Sequence, residues 1–360
     1  MQSFHPPRRL LLGPGPSDVP RRILDALARP TIGHLDPAYV GMMEELKTLL
    51  RYAFKTANPL TIPVSAPGSA GMEACFVNLV EPGDTVIVCR NGVFGGRMRE
   101  NVVRAGASAV MVDDEFGRPV DPEKVEAALR ANPGAKALAF VHAETSTGAR
   151  SDAATLCRLA REHGALSIVD TVTSLGGCEV DVDGWGADAV YSGSQKCLSA
   201  PPGLSPVTFS PRATETVKAR KVPVQSWFLD MSLVMAYWDG TGGRSYHHTA
   251  PINMTYALHE SLLILHEEGL EAAWARHQAN HERLRAGLQT MGLALLGDDD
   301  GARLPQLNPV VVPEGVDEAG VRRALLDDHG IEIGAGLGPL AGKIWRIGLM
   351  GASSRPEAVD

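Results

Sequence analysis

The sequence predicts an α/β protein: a large domain with a mainly parallel sheet sandwiched by helices, followed by a smaller C-terminal α+β domain. Three observations carry this. From Leu60 to Ser210, short apolar, β-branched runs alternate with amphipathic stretches and Gly-rich turns, the pattern of strands covered on both faces. Beyond Gly269 the alternation resumes in a smaller unit. At 360 residues and 44% hydrophobic content, the chain can bury a large core and hold two domains.

In chain order, residues 1–16 are rich in Pro and Arg and read as an arm lying over another surface. Helices are expected from Pro20 to Ala28 and from Pro37 to Tyr52, the second with apolar residues at the helical period. LTIPVS then reads as a strand, PGSAG as a turn, MEACFVNLV as a helix and TVIVC as a strand. An NGVFGG turn leads to the helix RMRENVVRAG and the strand ASAVMV. The helix DPEKVEAALRAN precedes the strand ALAFVHAE, and SDAATLCRLAREHG precedes ALSIVD. ADAVYSG and LSPVTFS close the series. A long helix begins near Asn253 and another runs from Glu271 to Met291. The large domain is placed at 17–268 and the small one at 269–360. The last residues, SSRPEAVD, read as the start of a helix whose remainder is expected to be missing.

Bulk chemistry narrows the function. A net charge of −8 with no basic run gives no reason to expect nucleic acid, and no apolar run reaches the ~20 residues that span a bilayer. Pro14 and Pro16 break the N-terminal apolar run, so no secretory signal is expected and the cytoplasm is the default. The five cysteines include no CxxC pair and read as reduced thiols.

Ligands of such folds bind at the carboxyl ends of the strands. The chemically distinctive residues fall there: Ser65–Gly71, His142–Gly148, Asp170–Ser174 and Ser192–Lys196. Lys196 stands out among the eight lysines because no other charge lies between Ala189 and Ser210. A buried ammonium costs free energy unless its pKa falls or it bonds covalently, which suits a lysine carrying an aldehyde cofactor. Asp170 ends the apolar strand LSIVD. It reads as an acid that keeps a pyridine nitrogen protonated, with a helix cap or a structural ion pair as the alternative.

Gly68, Ser69 and Ala70 precede a helix with no intervening charge, where backbone N–H groups can meet a phosphate; a Ser-capped turn looks identical. Phe94 either stacks on an aromatic ring or packs in the core. Arg346, in the apolar strand IWRIGL, calls for an anion, a bidentate carboxylate being the best fit and a structural ion pair the alternative.

Other motifs are set aside. The HxE at His142 lacks the PCxxC partner of a zinc deaminase, so no metal is expected. His277 and His281 have metal-compatible spacing, but their polar neighbours read as a solvated helix face. Gly334-Ala-Gly336-Leu-Gly338 has no helix to follow it as a dinucleotide loop, because Pro339 and Gly342 intervene.

Taken together, YSGSQK, LLGPGPS, NPLT, VNLVEPGD, ETSTG, VDTVTSLGG, YHHT, GLE and RIGLMG resemble the alanine–glyoxylate aminotransferases, within the class V aminotransferases of pyridoxal-phosphate fold type I. The resemblance runs from about Leu10 to Asp360. GHLDP, at Gly33 to Pro37, is similar to bacterial serine–glyoxylate and serine–pyruvate members.

The resemblance implies pyridoxal 5′-phosphate as cofactor, with Lys196 as its Schiff-base lysine and Asp170 on the ring nitrogen. It implies Val172 and Phe94 on opposite ring faces, Phe94 standing where tryptophan is common, and Thr145, in place of a serine, near the ring hydroxyl. Gly68, Ser69, Ala70 and Gln195 match phosphate ligands, although animal members carry histidine at the Ser69 position. Tyr246 and Thr249 match residues that reach the phosphate from a neighbouring subunit, implying a homodimer with shared sites. Arg346 matches the clamp for the substrate α-carboxylate.

The implied reaction is a ping-pong transamination of L-alanine and glyoxylate to pyruvate and glycine, small amino and 2-oxo acids being the partners. Serine–glyoxylate and serine–pyruvate transfer are the alternatives, with a cysteine desulfurase or lyase further off. A desulfurase needs a reactive cysteine on a mobile loop, and none follows Cys197.

Overall fold

In the computed structural model, which describes residues 1–238, 245–297 and 300–360, the chain begins with a two-residue strand, β1 (Leu10–Leu11). Two helices follow, Arg21–Leu27 and Pro37–Phe54. The second starts where the sequence says it should. Asp36 caps it by accepting from the Ala38 amide at 2.8 Å, Pro37 fills the first turn, and Lys55 ends it in the left-handed region.

The large unit is built on β2 (Leu60–Val64), β3 (Thr85–Arg90), β4 (Ser108–Asp113), β5 (Ala137–Val141), β8 (Leu166–Asp170), β9 (Ala189–Tyr191) and β10 (Ser205–Phe209). Between β5 and β8 a two-residue hairpin pairs β6 (Ala143–Glu144) with β7 (Ala149–Arg150). The expected strand ALAFVHAE is therefore two strands that part at His142. The main sheet has the order β2-β10-β9-β8-β5-β3-β4 and is flanked by helices.

All its neighbour pairings are parallel except those of β10, which runs against both β2 and β9. No helix lies between β9 and β10, and a strand that returns without a crossover helix pairs antiparallel. Because β2 lies antiparallel to β10, it points the same way as β9. The carboxyl ends of β2, β3, β5, β8 and β9 thus share one edge.

The smaller unit is an antiparallel sheet, β11 (Leu307–Val311), β14 (Ile344–Gly348) and β13 (Gly334–Ala335), with β12 (Ile331–Glu332) beside it. Leu288, Val310 and Trp345 form its core. Successive residues of a strand face opposite sides, so Trp345 turns into that core while Arg346 turns toward the large unit. The N-terminal segment lies along this smaller unit: β1 pairs parallel with β12, and Gly348 N donates to Leu12 O at 2.7 Å.

His277 and His281 correct the solvated-face expectation, for both are buried. The helix Leu270–Thr290 packs residues 351–354 and β11 against that face. His277 Nδ1–H donates to Ala273 O at 2.6 Å and Nε2 accepts from Gly351 N at 2.9 Å, which fixes a neutral ring; burial holds its pKa down to about 4. His281 Nδ1 pairs with Asn308 Oδ1 at 2.6 Å. Polar sequence neighbours could not reveal partners so distant in the chain.

Candidate active site

Lys196 follows β9, half-buried, and Nζ donates to the carbonyl of Pro14 in the N-terminal segment. Its backbone is held from two directions. Ser17 Oγ donates to Lys196 O at 2.7 Å and Ser17 N to Gln195 O at 3.0 Å, while Ala352 N donates to Ser199 Oγ at 2.8 Å. Burial draws the amine pKa down to about 8, and the nearby Arg346 adds to the effect. A substantial neutral fraction near pH 8 is what a nucleophilic amine needs.

Asp170 closes β8, beside β9, and is 2% exposed. Its Oδ1 accepts from Val172 N at 2.8 Å and its Oδ2 from the Tyr191 hydroxyl at 2.8 Å. Burial pushes its pKa up to about 7 against these two hydrogen bonds and the charge of Lys196. Sequence reasoning missed Tyr191. The available signal was a phenol ending the strand next to that of Asp170, since a buried hydroxyl requires a partner.

Gly68, Val172, Gly193 and Gln195 form one contiguous surface. A Cβ on Gly68 would lie 3.4 Å from Val172 Cγ2 and 3.5 Å from Gly193 Cα; one on Gly193 would lie 3.0 Å from Gln195 Oε1. Gly68, Ser69 and Ala70 do not precede the helix as expected but form its first turn, Gly68–Leu79. Its cap residue, Pro67, offers no side-chain acceptor, and Ala70 N bends back to Pro67 O at 2.7 Å. The amides of Gly68 and Ser69 have no protein acceptor among the described residues, leaving the positive helix end open to an anion. Gln195 Oε1 is buried without a hydrogen-bond partner among the described residues. Beside Ser69, a cavity of about 600 Å³ opens between Met72, Arg97 and Asn101.

Phe94 lies on the first turn of the helix Val93–Arg104, not in the turn before it, and the Arg97 guanidinium sits 4.6 Å from its ring centre. Thr145 Oγ1 is 2.5 Å from Thr173 Oγ1. Arg346 is 7% exposed; its Nε donates to Ala335 O at 2.6 Å and its Nη1 to Thr145 O at 3.2 Å. Burial lowers its pKa to about 10, with Glu144 nearby opposing the shift. No carboxylate pairs with it among the described residues, so part of its fork is available to an incoming anion.

Glu144, which sequence reasoning passed over, is fully buried beside this arginine. Its signal was a lone charge in the otherwise uncharged run Ala137–Ala149.

Tyr246 and Thr249 stand apart. Tyr246 is 60% exposed against His34, its hydroxyl 3.2 Å from Thr249 Oγ1, and no hydrogen bond among the described residues joins either to the Lys196 cluster. Their segment reaches the edge of the site through His248 Nε2, 2.7 Å from Ser65 Oγ. His142 is buried with Nδ1 unpartnered, and no group of three metal-ligating side chains occurs among the described residues. Among the described residues, no helix is long and apolar enough to cross a membrane.

Residues 11–345 match the family model of the class V aminotransferases. The chain is 39% identical to the (S)-ureidoglycine–glyoxylate transaminase of Bacillus subtilis (strain 168), over 98% of this chain and 88% of that one. It is 40% identical to the alanine–glyoxylate aminotransferase of Oryctolagus cuniculus, over 98% and 90%. The solved alanine–glyoxylate aminotransferase of Nostoc sp. superposes with a TM-score of 0.97 at 48% identity, covering 100% of this chain and 94% of that one.

Proposed function

The chain belongs to the class V aminotransferases, and from that premise we propose that it transfers the amino group of L-alanine to glyoxylate, giving pyruvate and glycine, with pyridoxal 5′-phosphate held on Lys196. One observation carries this reading above the others. A lysine amine with its pKa drawn down to about 8 shares a strand-end site with a buried aspartate and an arginine that has no carboxylate partner among the described residues.

The donor set fits the cofactor. Asp170 has two hydrogen-bond donors but no ion-paired cation among the described residues, and a protonated ring nitrogen would supply one. The open amides of Gly68 and Ser69 mark an unfilled anion cradle, and the otherwise unpartnered end of the Gln195 side chain could turn its amide nitrogen to a phosphate held there; Ala70, whose amide is given to Pro67 O, would only pack beside it. Val172 and Phe94 would take the two ring faces, and Thr145 would lie near the ring hydroxyl. Tyr246 and Thr249, turned outward, would serve the site of a second copy in a homodimer. The large unit at 17–268, the small one at 269–360 and the arm at 1–16 complete the proposed organisation, in a cytoplasmic enzyme.

When bound, the cofactor supplies a carbonyl that condenses with amines and a ring that withdraws electrons from the substrate Cα. Arg346 binds the α-carboxylate and so orients the substrate. Lys196 Nζ, in its neutral form, accepts the proton from Cα. Asp170 holds the proton on the ring nitrogen, and Tyr191 and the Val172 amide keep its carboxylate ionised and aimed.

The relatives' names agree on glyoxylate and differ in donor, which makes ureidoglycine a second reading beside serine. A half-reaction panel tests the choice: loss of the near-visible absorbance of the loaded enzyme with alanine, serine or ureidoglycine, and glycine formed once glyoxylate is added. Alanine is expected to react fastest. A tenfold preference for another donor would replace the proposed substrate, and no turnover with any of the three would remove the reading.

A further inference from the structure

The helix Val93–Arg104 begins at Gly92, which has no side chain to accept from the first-turn amides. Two residues 50 and 53 positions away take that part. Glu144 Oε2 accepts from Phe94 N at 3.2 Å, and Ser146 Oγ accepts from Val93 N at 2.9 Å. Glu144 Oε1 accepts from Ser146 N at 3.0 Å and from the Ser146 hydroxyl at 2.6 Å, which turns the serine lone pairs toward Val93. A Cβ on Gly92 would meet Ser146 Oγ at 2.6 Å and collide with the Glu144 side chain, so only glycine lets the two segments close.

A fully buried carboxylate is an expensive way to cap a helix, since a neutral serine at the cap position is the ordinary one. What a local cap could not do is tie the helix to the hairpin β6–β7. The residue between the two caps, Thr145, gives its carbonyl to Arg346. Glu144, Thr145 and Ser146 therefore hold the start of the Phe94 helix and the Arg346 guanidinium in one rigid unit.

Resting on the reading of this site as a cofactor site, we infer that Glu144 is a positioning residue: it fixes Phe94 against the cofactor ring and in register with the Arg346 clamp. It acts through Phe94, whose amide it accepts.

The test is a double-mutant cycle on cofactor affinity. Full-length chain stripped of cofactor is titrated with pyridoxal phosphate, following near-visible absorbance and the circular dichroism of the bound group. Glu144→Gln is expected to raise the dissociation constant about tenfold, the scale of a lost buried cap. It is expected to add nothing in a Phe94→Ala background. Ser146→Ala, a milder change should Glu144→Gln not fold, is expected to follow the same pattern at a smaller factor. Variants that bind as tightly as the unsubstituted chain, or that weaken Phe94→Ala by the full factor, overturn the inference alone. An unsubstituted chain that takes up no pyridoxal phosphate overturns it together with the functional reading.

Discussion

The Tyr191 phenol donates to Asp170 Oδ2 at 2.8 Å across the ends of two neighbouring strands, both residues sealed from solvent. The bond keeps a carboxylate aimed where burial would otherwise favour the acid. Its cost can be measured. The folded pKa of Asp170, about 7, lies above the ordinary 3.8, so between these values the folded chain holds the extra proton. Without cofactor, the chain therefore loses stability as pH rises through that window, and the loss is complete above it.

Asp170→Asn removes the buried charge. In urea denaturation of the cofactor-free chain, the variant is expected to gain on the order of 2–4 kcal/mol over the parent at pH 8 and little at pH 4. Transamination is expected to fall ~100-fold or more, because the ring nitrogen loses its counter-charge. An equal gain at both pH values would contradict the linkage.

Arg346→Lys keeps the charge but not the planar fork. The KM for the amino acid and for the 2-oxo acid is expected to rise on the order of 10–100-fold, the scale of one or two charge-assisted hydrogen bonds, with pyridoxal-phosphate affinity unchanged. Steady-state kinetics and a cofactor titration separate the two; loss of cofactor affinity with unchanged KM would move Arg346 out of the substrate role.

His277 stabilises the loop behind Lys196 through the Gly351 amide. Its folded pKa, about 4, lies below the ordinary 6.5, so its contribution is present above pH 6.5 and drains away as pH falls toward 4. His277→Ala is expected to cost about 2–4 kcal/mol at pH 7, from the unpaired Gly351 amide and a cavity. The gap to the parent should narrow at pH 5, and a pH-independent gap in urea melts would refute the neutral buried ring.

The parts of this protein legible in its sequence are those that short-range chemistry dictates. Strand and helix alternated visibly because each strand needs an apolar run and each helix a 3.6-residue period. Lys196, Asp170 and Arg346 were conspicuous because each places a charge in an apolar or uncharged stretch. Long-range pairings were not legible. No local pattern signals that β10 runs against its neighbours, that Glu144 caps a helix 50 residues earlier, or that 351–354 and β11 cover His277 and His281. The Gly68 and Phe94 segments read as turns because glycine is a poor helix former. In both, the glycines lie in or beside the first helical turn, where the amides have no intrahelical partner to lose.

Lys196, and no other lysine, is proposed to bear the cofactor. Borohydride reduction of the pyridoxal-phosphate-loaded protein, followed by proteolysis and peptide mass mapping, tests it directly. One stoichiometric adduct is expected, on the peptide containing Lys196, and none in Lys196→Ala. An adduct on another lysine, or the same adduct yield and continued turnover in Lys196→Ala, would contradict it.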